Sequence, residues 1–322
     1  MVSIILGGAG FIGTNLIGRL INEGRTVVVL DNFSRGRKQY SDELFANSNV
    51  FHILECDASS FEWLSKSFEL VRELGVISEV WHLAANSDIP AGVNDPCVDL
   101  KDTFLTTFEL LRVMKLFDVK NLNFASSSAI YGDLGDVTLH ESVGPLLPIS
   151  NYGAMKLASE ALISAATESH LNKVNIFRFP NVVGIPATHG VILDFIIKLV
   201  KNPLQLNVLG DGTQQKSYLH VSDLVDAMLV ISHRKSLKKI EVINIGPVDE
   251  GVTVDWIAKQ VVSRVSPNAE IIFGDGNKGW VGDVPMFKYS TEKLQSYGWT
   301  PKFSSREAIN LAVNQVADQI II

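Results

Sequence analysis

Cysteine is scarce in this chain of 322 residues, where only Cys56 and Cys97 occur. Two isolated thiols form neither a disulfide framework nor a metal-ligand spacing, and they point to a reducing compartment, the cytoplasm. Long apolar runs are also missing. The opening run breaks at Gly7, too early for a signal-peptide core, and no window approaches the roughly 20 apolar residues of a membrane span. Positive charge is in short supply, with 28 Lys and Arg against 35 Asp and Glu and a net charge of -7. That balance argues against nucleic acid as a partner, since phosphate backbones are bound by clustered cations, but it leaves small anionic ligands open. The 7 histidines never fall three to five residues apart, so no metal site is expected. Internal repeats and low-complexity segments are absent.

What is present is a chain with 46% hydrophobic residues, enough to bury one large core or two linked domains. Val2-Ser3-Ile4-Ile5-Leu6 reads as a buried parallel strand, and Gly7-Gly8-Ala9-Gly10-Phe11-Ile12-Gly13 follows it. Thr14 to Ile21 then shows apolar positions at helical spacing. In that order Gly7 and Gly10 permit a tight turn and close approach to a pyrophosphate, Gly13 lets the helix pack on the sheet, and free N–H groups at the helix start face phosphates. A second strand, Thr26 to Leu30, ends at Asp31. An acid at that place accepts hydrogen bonds from ribose hydroxyls and repels a 2′-phosphate, which favours NAD over NADP.

The second constellation is Tyr152 and Lys156, one helical turn apart and on one helix face. A free tyrosine has a pKa of about 10, so its use as a base near neutrality requires about 4 kcal/mol of phenolate stabilisation. An ammonium on the same face, joined by the positive nicotinamide of a bound dinucleotide, supplies it. On its own the pair is more often an ordinary solvated face. The glycine loop gives it meaning.

Strand-like runs at Val50–Leu54, Glu79–Leu83 and Leu122–Ala125 alternate with helical stretches such as Thr107–Met114. This implies βαβ units in a doubly wound parallel α/β sheet, with ligand residues just after the strand C-termini, where Asp57, Ala84, Ala85 and Ser127 fall. A dinucleotide-binding domain is expected over 1–173. A smaller substrate-binding domain is expected over 174–322, with segments returning to the main sheet and a terminal helix opened by the capping box Ser304-Ser305-Arg306-Glu307.

The chain resembles the extended short-chain dehydrogenase/reductase family, and within it the nucleotide-sugar 4-epimerases. The likeness rests on the glycine loop, Asp31-Asn32, Cys56-Asp57-Ala58, His82-Leu83-Ala84-Ala85, Ser126 to Gly132, the Tyr152/Lys156 helix, Arg178 to Gly184, Leu209 to Gln214 and His220 to Asp223. It implies a cofactor site, holding NAD, of Gly7, Gly10, Phe11, Ile12, Gly13, Asp31, Asn32, Asp57, Ala58, Leu83, Ala84, Ala85, Tyr152, Lys156 and Pro180. It implies Ser127, Tyr152 and Lys156 as catalytic residues, with Lys156 lowering the Tyr152 pKa. Nucleotide-sugar contacts are implied for Ser127, Ser128, Asn181, Lys216 and Phe287, and a homodimer through the Tyr/Lys helix and the helix of Thr107–Leu111. Met155, Ala158 and Leu162 are candidates for that seam.

Departures from the family pattern bear on the substrate. Ser128-Ala129 stands where dehydratases carry an Asp-Glu pair, and the family's decarboxylases also use an acid in this segment. Lys216 replaces a diphosphate arginine by a point charge, Trp280 replaces another with Lys278 nearby, and Thr103 and Thr106 replace Asn and Gly. Phe287, read as a gate at the sugar's C2 substituent, favours UDP-glucose and UDP-galactose over N-acetyl sugars. A net oxidoreductase, a dehydratase, or a 4-epimerase of a uronate or N-acetylhexosamine nucleotide are the alternatives. His82, His189 and His220 read as structural or loop residues.

Overall fold

The computed structural model describes residues 1–40, 50–135, 137–277 and 288–321. Seven strands form the main sheet: β1 (Val2–Leu6), β2 (Thr26–Asp31), β3 (Phe51–Glu55), β4 (Ile77–His82), β5 (Asn121–Ala125), β6 (Lys173–Arg178) and β7 (Ile240–Asn244). Their order is β7-β6-β5-β4-β1-β2-β3, and the paired strands from β6 to β3 run parallel. The order reverses at β1 and β4, which makes the ends of these two strands the switch point where a doubly wound sheet binds its ligand. The expected α/β architecture is thus borne out.

The helices follow the sequence periodicity: α1 (Phe11–Asn22), α2 (Phe61–Leu74), α3 (Thr106–Leu116) and α4 (Asn151–Thr167). Alternate strand residues Val2, Ile4, Leu6, Val28, Val80, Leu122 and Val174 face one way and share a core with Leu64 and Phe68 of α2, Leu110 and Met114 of α3 and Ile163 of α4. On the other face Trp81 stacks on Phe177 with centroids 6.1 Å apart. Leu162, a seam candidate, packs partly against the first core. Met155 and Ala158 are partly covered.

The chain forms two compact units. The first comprises residues 1–127, 151–178 and 228–243, and the second comprises 128–150, 179–227 and 244–322. Strand β6, which begins at the expected domain boundary, belongs wholly to the first unit because it completes the sheet beside β5. The second unit packs the helices Val191–Lys201, Val254–Val265 and Ser305–Ile321 around Ile196, Ile257, Val261, Ile309 and Val313. Its strands are short, as in the parallel pairs Asn181–Val183 with Tyr218–His220 and Gln205–Val208 with Glu270–Phe273. The capping box forms: Ser304 N–H donates to Glu307 Oε2 at 2.8 Å, and Glu307 N–H returns to Ser304 Oγ at 3.4 Å. Among the described residues no helix is long and apolar enough to cross a membrane.

Candidate active site

Two of the loop glycines are required by the protein itself. A Cβ on Gly7, whose φ is +79°, would meet Ala84 N at 2.6 Å, and one on Gly13 would meet Gly8 Cα at 2.5 Å. Gly10 differs. Its Cβ would touch only Gly7 O, at 3.4 Å, so the space above it is open to a ligand. Helix α1 begins there without a side-chain cap and without an acid in its first turn. The first N–H groups of Phe11, Ile12 and Gly13 are orphans of a helix start, suited to phosphate oxygens.

Asp31 is buried at the end of β2, where its Oδ2 accepts Ala9 N–H at 2.9 Å and its Oδ1 accepts Phe33 N–H at 2.8 Å. Burial raises its pKa, against the pull of these two hydrogen bonds. The carboxylate therefore anchors the glycine loop as well as presenting acceptors. Replacing Asp31 by Ser is expected to reduce the preference for NAD over NADP in competitive binding. It should also cost about 1–3 kcal/mol of stability, because the Ala9 N–H loses its buried acceptor.

Asn32 is exposed and bonds Ser34 N–H at 3.0 Å. After β3, Asp57 accepts Ser59 N–H at 3.0 Å and Ser59 Oγ at 2.7 Å and lies 3.4 Å from Lys101. Desolvation pushes its pKa up, but the Ser59 bonds and Lys101 outweigh it and leave the carboxyl below its ordinary value. Ala58 is buried beside it. After β4, the N–H groups of Leu83 and Ala84 both donate to Leu6 O, at 2.8 and 2.9 Å, which seats this segment against the glycine loop. His82 is fully buried, with Nε2 2.9 Å from Thr107 Oγ1, and burial holds its pKa well below the usual value. It is the structural residue expected, as is His220, bonded to Ser222 and Gln315.

Ser127, Tyr152 and Lys156 come together in the first unit. The Ser127 side chain hydrogen-bonds Tyr152, and Lys156 Nζ lies 5.8 Å from the centroid of the Tyr152 ring. Lys156 is buried and donates to Ala125 O at 2.6 Å, with its Nζ 4.8 Å from the Phe124 ring. Tyr152 is pushed up to about 12, first by burial, with Ser127 opposing and Asp99 adding. The residue keeps some exposed surface, but its hydroxyl end is closely surrounded. Lys156 is itself brought down to about 7 by burial, with Glu160 pulling it back up. A lysine that gives up half its charge near neutrality does not by itself make a phenolate.

The depressed Lys156 value has a consequence for stability. With a folded value of about 7 and an ordinary one of 10.5, the unfolded chain binds more protons between these limits, so this group makes stability rise with pH there. Cys56, raised to about 11 from 9.0 mainly by burial, acts in the opposite sense above pH 9. The melting temperature of Lys156→Met relative to wild type is therefore expected to fall from pH 7 to pH 9, as measured by calorimetry in low-ionisation-heat buffers.

Two arrangements escaped the sequence reading. Glu160, a turn beyond Lys156, accepts Arg178 Nε at 3.0 Å and Nη2 at 2.6 Å and also the Ser126 hydroxyl, all of them buried. Asp99 is fully buried just before a π-helical turn, Leu100–Leu105, and its Oδ1 accepts Asn86 Nδ2 at 2.9 Å. Thr103, one of the departures, donates to Asp99 and accepts Asn86 N–H at 3.1 Å, so it orders the loop after β4. The signal for Glu160 was its spacing from Lys156. For Asp99 there was none beyond a helix-opening acid.

In the second unit, Ser128 N–H donates to Phe179 O at 3.1 Å, Pro180 is buried, and Asn181 is exposed at the head of its strand opposite Tyr218. Lys216 pairs with Val252 in the two-residue strand Gln215–Lys216. Phe287, Lys278 and Trp280 lie outside the described residues.

An open glycine cradle, an uncapped helix start, an acid at the end of β2 and a Ser/Tyr/Lys cluster at the end of β5 define a dinucleotide-dependent enzyme site. The model of the NAD dependent epimerase/dehydratase family matches residues 3–246, and the chain belongs to that family. A putative UDP-glucose 4-epimerase of Methanocaldococcus jannaschii is 28% identical over 318 residues, 97% of each chain. A UDP-glucuronate 4-epimerase of Thermodesulfobacterium geofontis is 27% identical, covering 98% of this chain and 96% of that one. A crystal structure of a UDP-galactose 4-epimerase superposes with a TM-score of 0.85 at 32% identity, over 99% of this chain and 100% of the other. The cofactor is NAD, which the Gly10 cradle and the α1 N-terminus fit.

Proposed function

We propose that the protein inverts C4 of a nucleotide-diphospho-sugar, UDP-glucose or UDP-galactose, through a transient 4-keto sugar. The observation that carries this reading is the Ser127–Tyr152–Lys156 cluster with no carboxylate at Ser128 or Ala129 to drive elimination of water. NAD supplies a hydride acceptor and donor at C4. Tyr152 takes the C4 hydroxyl proton and later returns one, Ser127 steadies that proton through its bond to the Tyr152 hydroxyl, and Lys156 orients the cofactor ribose and adds positive charge. Tyr152 would need, beyond the charge of Lys156, the positive charge that a bound nicotinamide would supply to come into range.

Asn181, Ser128 and Lys216 are assigned to the substrate, with Lys216 on the diphosphate as a point charge. Phe287 is assigned to the gate at C2. The relatives bear names for both a hexose and a uronate nucleotide, so the sugar is the open variable. The deciding experiment incubates the purified protein with UDP-glucose, UDP-glucuronate and UDP-N-acetylglucosamine and scores C4 inversion by NMR while following reduced-nicotinamide absorbance. Inversion of UDP-glucose with a flat absorbance trace supports the reading, and steady accumulation of reduced cofactor replaces it with a net oxidoreductase. With Phe287→Ser the same panel should shift toward the N-acetyl sugar; an unchanged ratio removes the gate.

The proposed assembly is a two-fold dimer through α3 and α4, which leaves Phe108 and Leu116 of α3 partly or largely exposed in the single chain. Sedimentation that finds a monomer at every concentration excludes it.

A further inference from the structure

Buried carboxylate oxygens are almost always hydrogen-bonded, and one that is not calls for a reason. Asp99 presents such an oxygen. The residue is fully buried, its Oδ1 accepts Asn86 Nδ2 at 2.9 Å, and its Oδ2 accepts nothing from a described residue. Thr103 is the second donor to the carboxyl. Burial raises the pKa of the group, with the Asn86 and Thr103 bonds opposing and Asp102 adding. Both bonded partners are donors, and no acceptor stands where a carboxylic O–H could give its proton, so these contacts suit the anion.

The unmet oxygen has a defined place. It faces Gly92, where a Cβ would collide with it, so that position must be glycine for the carboxyl to fit. Gly92 lies in the short helix Ile89–Asn94, and its carbonyl accepts Asn151 Nδ2 at 2.8 Å. Asn151 opens α4 directly before Tyr152. Asp99 itself closes the short helix Pro96–Asp99, which packs on α4, as does the π-helical turn Leu100–Leu105 that follows.

The other charges near Tyr152 leave this carboxylate the decisive one. On the same helix Lys156 is brought down to about 7, so it is neutral long before a hydroxyl pushed up to about 12 begins to ionise. Glu160 acts on Lys156, Asp102 acts on Asp99, and His82 of β4 is kept neutral by burial. Ser127, after β5, brings a hydrogen bond but no charge. Among the described residues Asp99 is therefore the charge that acts on the Tyr152 hydroxyl throughout its titration, and a negative charge favours the protonated form.

We propose that Asp99 is a positioning residue for the reaction, a buried anion whose field holds the proton on the Tyr152 hydroxyl. The inference rests on the reading of Tyr152 as the proton-transfer group. Tyr152 takes a proton and returns one in each turnover. A charged Lys156 pulls it toward the phenolate, and Asp99 is the counterweight that keeps the phenolate basic enough to accept a sugar proton. A donor on Oδ2 would screen the anion with its own dipole, and the bare oxygen keeps that field at full strength.

The test reads Tyr152 directly, by NMR of the full chain labelled with carbon-13 at the tyrosine Cζ, NAD-free and NAD-loaded, with Tyr152→Phe identifying the signal among the 6 tyrosines. At pH 11 the NAD-free wild type, with a value of about 12, should be about one-tenth phenolate, and Asp99→Asn about one-half, a midpoint lower by about one pH unit. Asparagine keeps the Oδ1 acceptor and replaces an oxygen that bonds nothing, so the charge is what changes. Asp99→Ser, too small to crowd Gly92, is the second neutral variant should the first fail to fold. In the NAD-loaded chain the acid limb of the pH–rate profile for inversion should move to lower pH in step with the NMR midpoint. A merely structural loss would lower the rate at every pH and leave the limb in place, which overturns the proposal. So does an NMR midpoint that stays put or rises in the neutral variants. Turnover retained by Tyr152→Phe would instead strike the reading of Tyr152 on which the role rests, and the NMR midpoint, measured without turnover, tells the two failures apart.

Discussion

Tyr152→Phe is expected to lower kcat by about 10²–10⁴-fold, the range that a positioned general base contributes. The ring stays, so packing around it is kept, and only the hydroxyl that bonds Ser127 is lost. Single-turnover mixing of the NAD-loaded variant with UDP-glucose should show the transient nicotinamide absorbance slowed by the same factor as overall inversion, since one proton transfer governs both halves of the reaction. Thermal melting within a degree or two of wild type would confirm that the loss is chemical. Turnover near the wild-type rate would remove Tyr152 from the reaction. The pH dependence should follow. With the hydroxyl pushed up to about 12 by burial in the protein alone, activity rises with pH until the phenolate forms, and positive charge from the bound cofactor moves that rise toward neutrality.

Much of this site was legible because each part is tied to a local pattern. The glycine spacing, the acid after the second strand and the one-turn interval from Tyr152 to Lys156 each have a backbone reason, and the strand runs fall within a residue or two of β1 to β5. What stayed hidden depends on residues distant in the chain. The raised Tyr152 value comes from enclosure, and enclosure is a property of the packed fold that a helical wheel does not display. Asp99 and its π-helical turn arise from the contacts of Asn86 and Thr103 with a carboxyl many residues away.

Arg178→Leu is expected to be the most destabilising of the substitutions considered, by about 3–5 kcal/mol, because it leaves the Glu160 carboxylate buried with its counter-charge gone. The two side chains are each 7% exposed and joined by two hydrogen bonds, one to each carboxylate oxygen, so neither has water to fall back on. The Ser126 hydroxyl is then the remaining described donor to Glu160. Chemical denaturation followed by circular dichroism measures the loss, and the double variant Glu160→Gln/Arg178→Met separates its causes. Without a buried charge to strand, the double variant should recover a large part of the stability. It should not recover activity to the same extent. Glu160 is the charge that pulls Lys156 back up, so with Gln in its place the lysine loses that support and is less readily protonated. A double variant as unstable as the single one would show that packing of the Arg178 side chain, rather than its charge, holds this corner of the sheet.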